Sequence, residues 1–318
     1  MVREVMLSMR LFCFFLLLFA CASRTDALTL DMPPPGEDVI GEVRTVKIER
    51  YEDTLNQYAQ AHGVGFRELL AANPGINPWV PGAGREVVIP AQFILPYGDR
   101  TGIVINLAEM RLFYFHPDGK AVTTYPIGIG REGWQTPLVT THVTKIVKDP
   151  TWYPPASIRA EHAAMGDPLP TAVPPGPDNP LGPWSLRLAT PGYLIHGSNK
   201  ELGVGMRVSH GCMRMYNHDV TALAAKVAPG TTVRIINSPV KVGWKAGQMY
   251  VEVHDPLEES RAVHVSEAAV ADAIHIANRI TRTPVSIDWY QAKDAAVKRS
   301  GMPVRVSAEQ VAARVVAR

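Results

Sequence analysis

Two histidines and a cysteine fall in one short stretch of this chain, and that trio can carry acyl chemistry. The stretch reads Leu194-Ile195-His196-Gly197-Ser198, then Val208-Ser209-His210-Gly211-Cys212-Met213-Arg214, so His196 precedes Cys212 by 16 positions. A thiol of ordinary pKa, about 8.5, is only a few per cent ionised at neutral pH, and the thiolate is the nucleophile. A nearby imidazole can take the thiol proton, and the sulfur can then attack a carbonyl to form a thioester. The same imidazole can later activate an incoming amine or water, provided a third group orients the ring. Glycine beside each cluster lets the backbone turn sharply and bring N–H groups towards a reacting carbonyl. Two rival readings remain open on the residues alone. His196, His210, Cys212 and His218 could hold zinc, although their spacing matches none of the common short zinc patterns. Alternatively, the histidines are core residues around an inert thiol.

Cysteine usage bears on that choice. The three cysteines are Cys13, Cys21 and Cys212. Arg3 and Arg10 flank the start of an apolar run over residues 11–19, and Ala20-Cys21-Ala22 is a small-x-small cleavage site, together an export signal over residues 1–22. The run is far shorter than the ~20 residues that span a bilayer, so no stable transmembrane anchor is expected. Cleavage after Ala22 leaves Cys212 alone, and a lone thiol in an exported protein, in an oxidising compartment, needs a reason. A second small-residue site ends at Ala27, and Leu18-Phe19-Ala20-Cys21 resembles a lipobox in which Cys21 would carry the lipid. Lys plus Arg number 32 against 30 Asp plus Glu, with no basic block, which argues against a nucleic-acid partner.

The elements that must position the trio can be sketched from pattern. Residues 23–41 contain Met32-Pro33-Pro34-Pro35-Gly36 and read as a stiff linker. Residues 42–90 read as a small α+β unit in the order strand, helix, helix, strand. Asp53 is the expected N-cap, with Leu55, Tyr58 and Ala59 on one helical face, and Asn73-Pro74-Gly75 ends the second helix. Residues 99–237 read as mainly β, with Asp118-Gly119 as a hairpin turn. Prolines crowd residues 150–183, which excludes sheet interior and predicts a long ordered loop or lid. Residues 238–318 form a C-terminal extension that turns helical. Ser266 caps a face of Val270, Ala273, Ile274 and Ala277, and a second helix covers residues 288–300.

The His196–Cys212 stretch resembles the catalytic domain of the L,D-transpeptidases, the YkuD family, whose mark is a His, a gap, then Ser/Thr-His-Gly-Cys. Ile127-Gly128-Ile129-Gly130, Thr136-Pro137, Asp149-Pro150-Thr151-Trp152-Tyr153, Pro177-Asp178-Asn179-Pro180 and Gly205-Met206-Arg207 agree with it. Val240-Lys241-Val242-Gly243-Trp244 resembles the extension of the Gram-negative envelope branch. Residues 42–90 resemble a LysM domain through Tyr51-Glu52-Asp53-Thr54-Leu55, Leu69-Leu70-Ala71-Ala72-Asn73-Pro74 and Val87-Val88-Ile89-Pro90. They depart from it at Glu52-Asp53, where Gly-Asp is usual, and a βααβ spacer without sugar affinity is the other reading. The resemblance implies a mainly β catalytic domain, sandwich or barrel, with a LysM-like module and a short helical tail.

It also implies residue roles. Cys212 is the nucleophile and His196 the base and proton donor, with the Gly197 carbonyl orienting the ring. Ser209 and His210 shape the pocket. The N–H groups of Gly211 and Cys212 are candidates for the oxyanion hole. Arg214 either binds a substrate carboxylate or makes a structural ion pair. No cofactor and no metal are implied. The expected partners are peptidoglycan stem peptides and glycan, with a stem, an envelope lipoprotein lysine or a D-amino acid as acceptor. Hydrolysis at the same site, or a non-catalytic wall-binding role, are the alternatives.

Overall fold

The computed structural model describes residues 27–258, 265–281 and 283–308; the expected export signal over residues 1–22, with Cys13 and Cys21, lies outside them. Among the described residues no helix is long and apolar enough to cross a membrane.

The strands Gly102–Asn106 and Arg111–Phe115 are apolar along their length because both faces are covered. Ile103, Ile105, Leu112 and Tyr114 enter one core, while Val104, Phe113 and Phe115 enter a second with Ile40, Phe93 and Leu95. These strands lie inside a nine-stranded mixed sheet. Its order is Leu28–Asp31, Ala121–Pro126, Arg111–Phe115, Gly102–Asn106, Thr232–Ile236, Val139–Lys148, Trp184–Leu188, Leu194–His196 and Met213–Arg214. The last strand returns to meet the chain leaving the second: Gly128 N–H donates to Arg214 O at 2.8 Å, and Arg214 N–H to Gly128 O at 2.9 Å. The sheet is therefore curled, and the seam where its ends meet is where Cys212 lies. The Asp118-Gly119 turn joins Phe115 to Val122 in register, as the pattern predicts.

The strand–helix–helix–strand order is present. Arg44–Lys47 pairs with Glu86–Ile89 around Leu55–Ala61 and Phe66–Ala72, over a core that includes Ile48, Leu55, Leu69 and Ile89. The first cap is one residue later than expected. Thr54 accepts from Gln57 N–H while the Gln57 side chain returns to Thr54 N–H, a reciprocal capping box. Asp53 is buried and instead accepts from Arg50. This unit is tied to the nine-stranded sheet by Arg111, fully buried, whose Nε and Nη2 reach the two Glu68 oxygens at 2.9 and 2.5 Å.

Two expectations need correction. Residues 23–41 are not an unpacked linker over their described length. Leu28–Asp31 forms the edge strand against Ala121–Thr124, and Val39–Gly41 pairs with Gln92–Ile94. The stiff prolines occupy only the corner between them, while Leu28 and Leu30 pack on the second core. The C-terminal extension is not simply helical either. Val240–Lys245 and Gln248–Val253 form a hairpin, extended by Val304–Arg305, and helices Glu267–Ile280 and Trp289–Lys298 pack on it. Alternation in 240–253 carries the strand signal that the helical reading passed over.

Where this extension meets the rest of the chain, Lys241 is fully buried. Its Nζ donates to Ile94 O at 2.6 Å and lies 2.8 Å from Glu109 and 2.7 Å from Glu252, with His254 2.6 Å from Glu252. The ligand atoms of Glu109, Glu252 and His254 converge, and the Lys241 ammonium is the cation bonded to both carboxylates. Lys241→Met leaves two buried carboxylates without their counter-charge. It is expected to destabilise the fold by about 3–5 kcal/mol, read as a lower urea midpoint at unchanged slope. A midpoint equal to the parent's would refute that account.

Candidate active site

Strand alternation places the reactive trio. Leu194–His196 runs parallel to Met213–Arg214, with Ile195 opposite Met213 and His196 opposite Arg214. Ile195 and Met213 point into the main core and are fully buried. The flanking residues Leu194, His196, Cys212 and Arg214 therefore share the opposite face, and all four line one cleft of about 800 Å³. The cleft also includes Ser209, His210, Trp134, Trp152, Tyr193 and Pro180.

The turn that presents the sulfur is closed by Ser209. Its Oγ donates to Cys212 O at 2.6 Å and accepts from Gly211 N–H at 3.1 Å. Gly211 has φ +102°, and a Cβ there would lie 2.9 Å from the Tyr193 ring, so only glycine fits. Thr136 Oγ1 fixes the same turn by donating to Gly211 O at 2.8 Å while accepting from Gly130 N–H. The expectation that Gly211 N–H is an oxyanion donor needs correction: that hydrogen is already held by Ser209.

Cys212 is half-buried and is the free cysteine of the described chain. Its Sγ lies 3.5 Å from Gly192 O. Burial pushes the thiol above its ordinary range, and the Leu194 backbone N–H and the Arg214 charge oppose that only in part. His196 is buried, and its Nδ1 lies 2.6 Å from Gly197 O. A carbonyl can only accept, so Nδ1 carries the hydrogen and Nε2 the lone pair. Burial, then the Arg214 charge, brings the imidazole down to about 4, against the pull of the Gly197 and Pro180 carbonyls. At neutral pH the resting pair is thus a neutral thiol and a neutral imidazole.

Several site residues carry no signal in the central motif. Asn217 locks the loop after His196: its Oδ1 accepts from Ser198 N–H and its Nδ2 donates to Ser198 O, both at 2.9 Å. Asn179 gathers the proline-rich segment, donating to the carbonyls of Pro150, Val173 and Pro174 and accepting from Leu181 N–H. That segment is a loop with a helix in it, Ala156–Ala164, none of whose residues is fully buried. Glu161 on this helix pairs with Arg131 and accepts from His210 Nε2–H at 2.8 Å. The His210 hydrogen bond, with Arg131 adding its charge, holds the Glu161 carboxyl below the usual carboxylate range. Trp134 packs edge-on against His210 at 4.7 Å.

The rival readings fare as follows. His196, His210, Cys212 and His218 do not converge as a ligand set among the described residues. His210 is bonded to Glu161, and His218 stacks on Tyr216 beside Asp219. The inert-thiol reading conflicts with a sulfur that lines an open cleft. Arg214 is half-buried, has no ion pair among the described residues, and keeps Nε without a hydrogen-bond partner, so the structural ion pair is not made.

A family model described as the L,D-transpeptidase catalytic domain, YkuD, matches residues 100–235. The Escherichia coli K12 protein named "Probable L,D-transpeptidase YcfS" is 42% identical over 297 residues, covering 92% of each chain. "Probable L,D-transpeptidase ErfK/SrfK" from the same strain is 40% identical over 299 residues, covering 93% of this chain and 96% of the relative. "Probable L,D-transpeptidase YbiS", again from that strain, is 38% identical over 288 residues, covering 90% and 94%.

Proposed function

Because the chain belongs to the YkuD family of L,D-transpeptidases, we propose that it is a periplasmic enzyme that remodels peptidoglycan through a Cys212 thioester. The observation that carries this reading is the placement of Cys212 and His196 on one face of two paired strands, in one cleft. As the donor carbonyl reaches the sulfur, the thiol proton passes to His196 Nε2 and the C–S bond forms. The donor is a tetrapeptide stem, and the attacked carbonyl belongs to the L-centre of its third residue. The developing oxyanion needs a donor, and Cys212 N–H is the candidate left once Gly211 is engaged. Collapse breaks the amide bond, and His196 returns the proton to the departing D-Ala amine. An acceptor amine then attacks the thioester, with His196 removing its proton, and the thiol is restored. Arg214 supplies an unpaired guanidinium for the carboxylate of the leaving D-amino acid.

The βααβ unit supports wall attachment as a second part of the reading. Tyr51 and Trp79, 71% and 58% exposed, offer aromatic faces of the kind sugars stack on. The acceptor is a neighbouring stem or a lipoprotein lysine.

Incubation with purified sacculi, followed by mass analysis of the released muropeptides, tests the reaction. Loss of D-Ala together with a new amide at the third residue is expected. Stems trimmed to tripeptides with no new bond would mean water is the acceptor, and unchanged stems would remove the reading altogether.

A further inference from the structure

The cleft lining contains two guanidiniums, Arg187 and Arg214, and no Asp or Glu. Among the described residues neither arginine makes an ion pair. Their placement follows from register. Arg187 stands opposite Leu194 on the neighbouring antiparallel strand. Leu194 in turn precedes Ile195 as Cys212 precedes Met213, the two residues that face each other. Arg187, Leu194 and Cys212 thus form one row across three strands, and Lys145 continues it on the fourth. At about 4.8 Å between strands and about 3.3 Å along them, Arg187 stands ~10 Å to the side of Cys212 and Arg214 ~7 Å along the chain. Two cations therefore bracket the sulfur in different directions.

One carboxylate cannot use both. The leaving D-amino acid carries its carboxylate two bonds beyond the scissile nitrogen, within reach of only one of them. Arg214 extends the same strand as the nucleophile, is half-buried, and takes the leaving carboxylate in the reaction proposed above; Arg187, exposed on the far side of Leu194, is then left to the acyl half of a donor. Resting on the reaction proposed above, we infer that Arg187 is a specificity-determining residue. It binds a second, free carboxylate on the acyl side of the scissile bond, so that the enzyme selects donor peptides carrying that carboxylate over their amides. A planar guanidinium matches a carboxylate through two parallel N–H···O bonds, and an amide can return only one of them.

The test is isothermal titration calorimetry on full-length Cys212→Ala protein, which cannot turn over. The probes are two synthetic tetrapeptide stems, one with the acyl-side carboxylate free and one with it amidated. The free acid is expected to bind about tenfold more tightly, as one charge-assisted contact allows, and the added Arg187→Gln should bring the two dissociation constants together. Arg187→Lys should restore part of the preference, which general loosening of the strand would not do. Equal affinity for both probes in the Arg187 protein, or a preference that survives Arg187→Gln, overturns the inference. Release of D-Ala by the parent enzyme is followed separately: its absence would count against the reaction, while the binding ratio still decides the role of Arg187.

Discussion

Cys212→Ala should abolish acyl-enzyme formation while leaving the fold intact. The substitution removes one half-buried sulfur and disturbs none of the contacts that shape the turn, since Ser209 and Thr136 hold its backbone. With a carbapenem as the acylating probe, intact-protein mass spectrometry should show the parent shifted by the inhibitor and the variant unshifted. Turnover should fall to below about one part in 10⁴, as when a covalent nucleophile is removed elsewhere. Cys212→Ser is expected to fail almost as completely. A hydroxyl is far less acidic than a thiol, so handing its proton to His196 is much less favourable still. An adduct on the alanine variant at any other residue would sink the assignment of the nucleophile.

His196→Gln should lower kcat/KM by about 10³, within the range that general acid–base catalysis contributes. Its pH dependence is the more telling readout. The working form of His196 is the neutral ring, so activity rises with pH through about 4 and is already level near 6.5, where an ordinary histidine would still be titrating. Stability follows the same group. Between about 4 and 6.5 the unfolded chain binds a proton that the folded ring refuses, so this contribution is complete above about 6.5 and is lost as pH falls towards 4. Cys212 titrates above its ordinary range, so alkylation by iodoacetamide should climb with pH through neutrality without reaching a plateau. An acid limb near 6.5, with a plateau of alkylation at neutral pH, would instead reveal a preformed thiolate–imidazolium pair.

The centre of this molecule was readable because its chemistry is local. His196 ends one short strand and Cys212 immediately precedes its neighbour, and the glycines and apolar residues that place them are contiguous in sequence. The mainly β character of residues 99–237 and the hairpin turn at Asp118-Gly119 were readable for a similar reason, since both signals are local. What stayed hidden depends on distant partners. Glu161 is an ordinary surface glutamate until folding brings Arg131 and His210 to it from 30 and 49 residues away. Leu28 and Leu30 stand just before three prolines that read as a linker, and only the long-range pairing with Ala121–Thr124 makes them part of an edge strand. The shift of the helix cap from Asp53 to Thr54 is decided by which side chain Arg50 occupies. Gly211 looked like an open donor because nothing in its own sequence tells that Ser209 folds back onto it.

Arg111 and Glu68 join the βααβ unit to the strand beside the core through two bonds, with Phe93 stacked 4.2 Å over the guanidinium. Breaking such a sealed charge pair costs about 3–5 kcal/mol, well above thermal agitation, so the two parts do not swing on a tether. The exposed surface of the outer unit is therefore held at a set offset from the sulfur. Under the function proposed above, a foothold there would make the enzyme a ruler, meeting bonds at one repeat distance and passing over those in between.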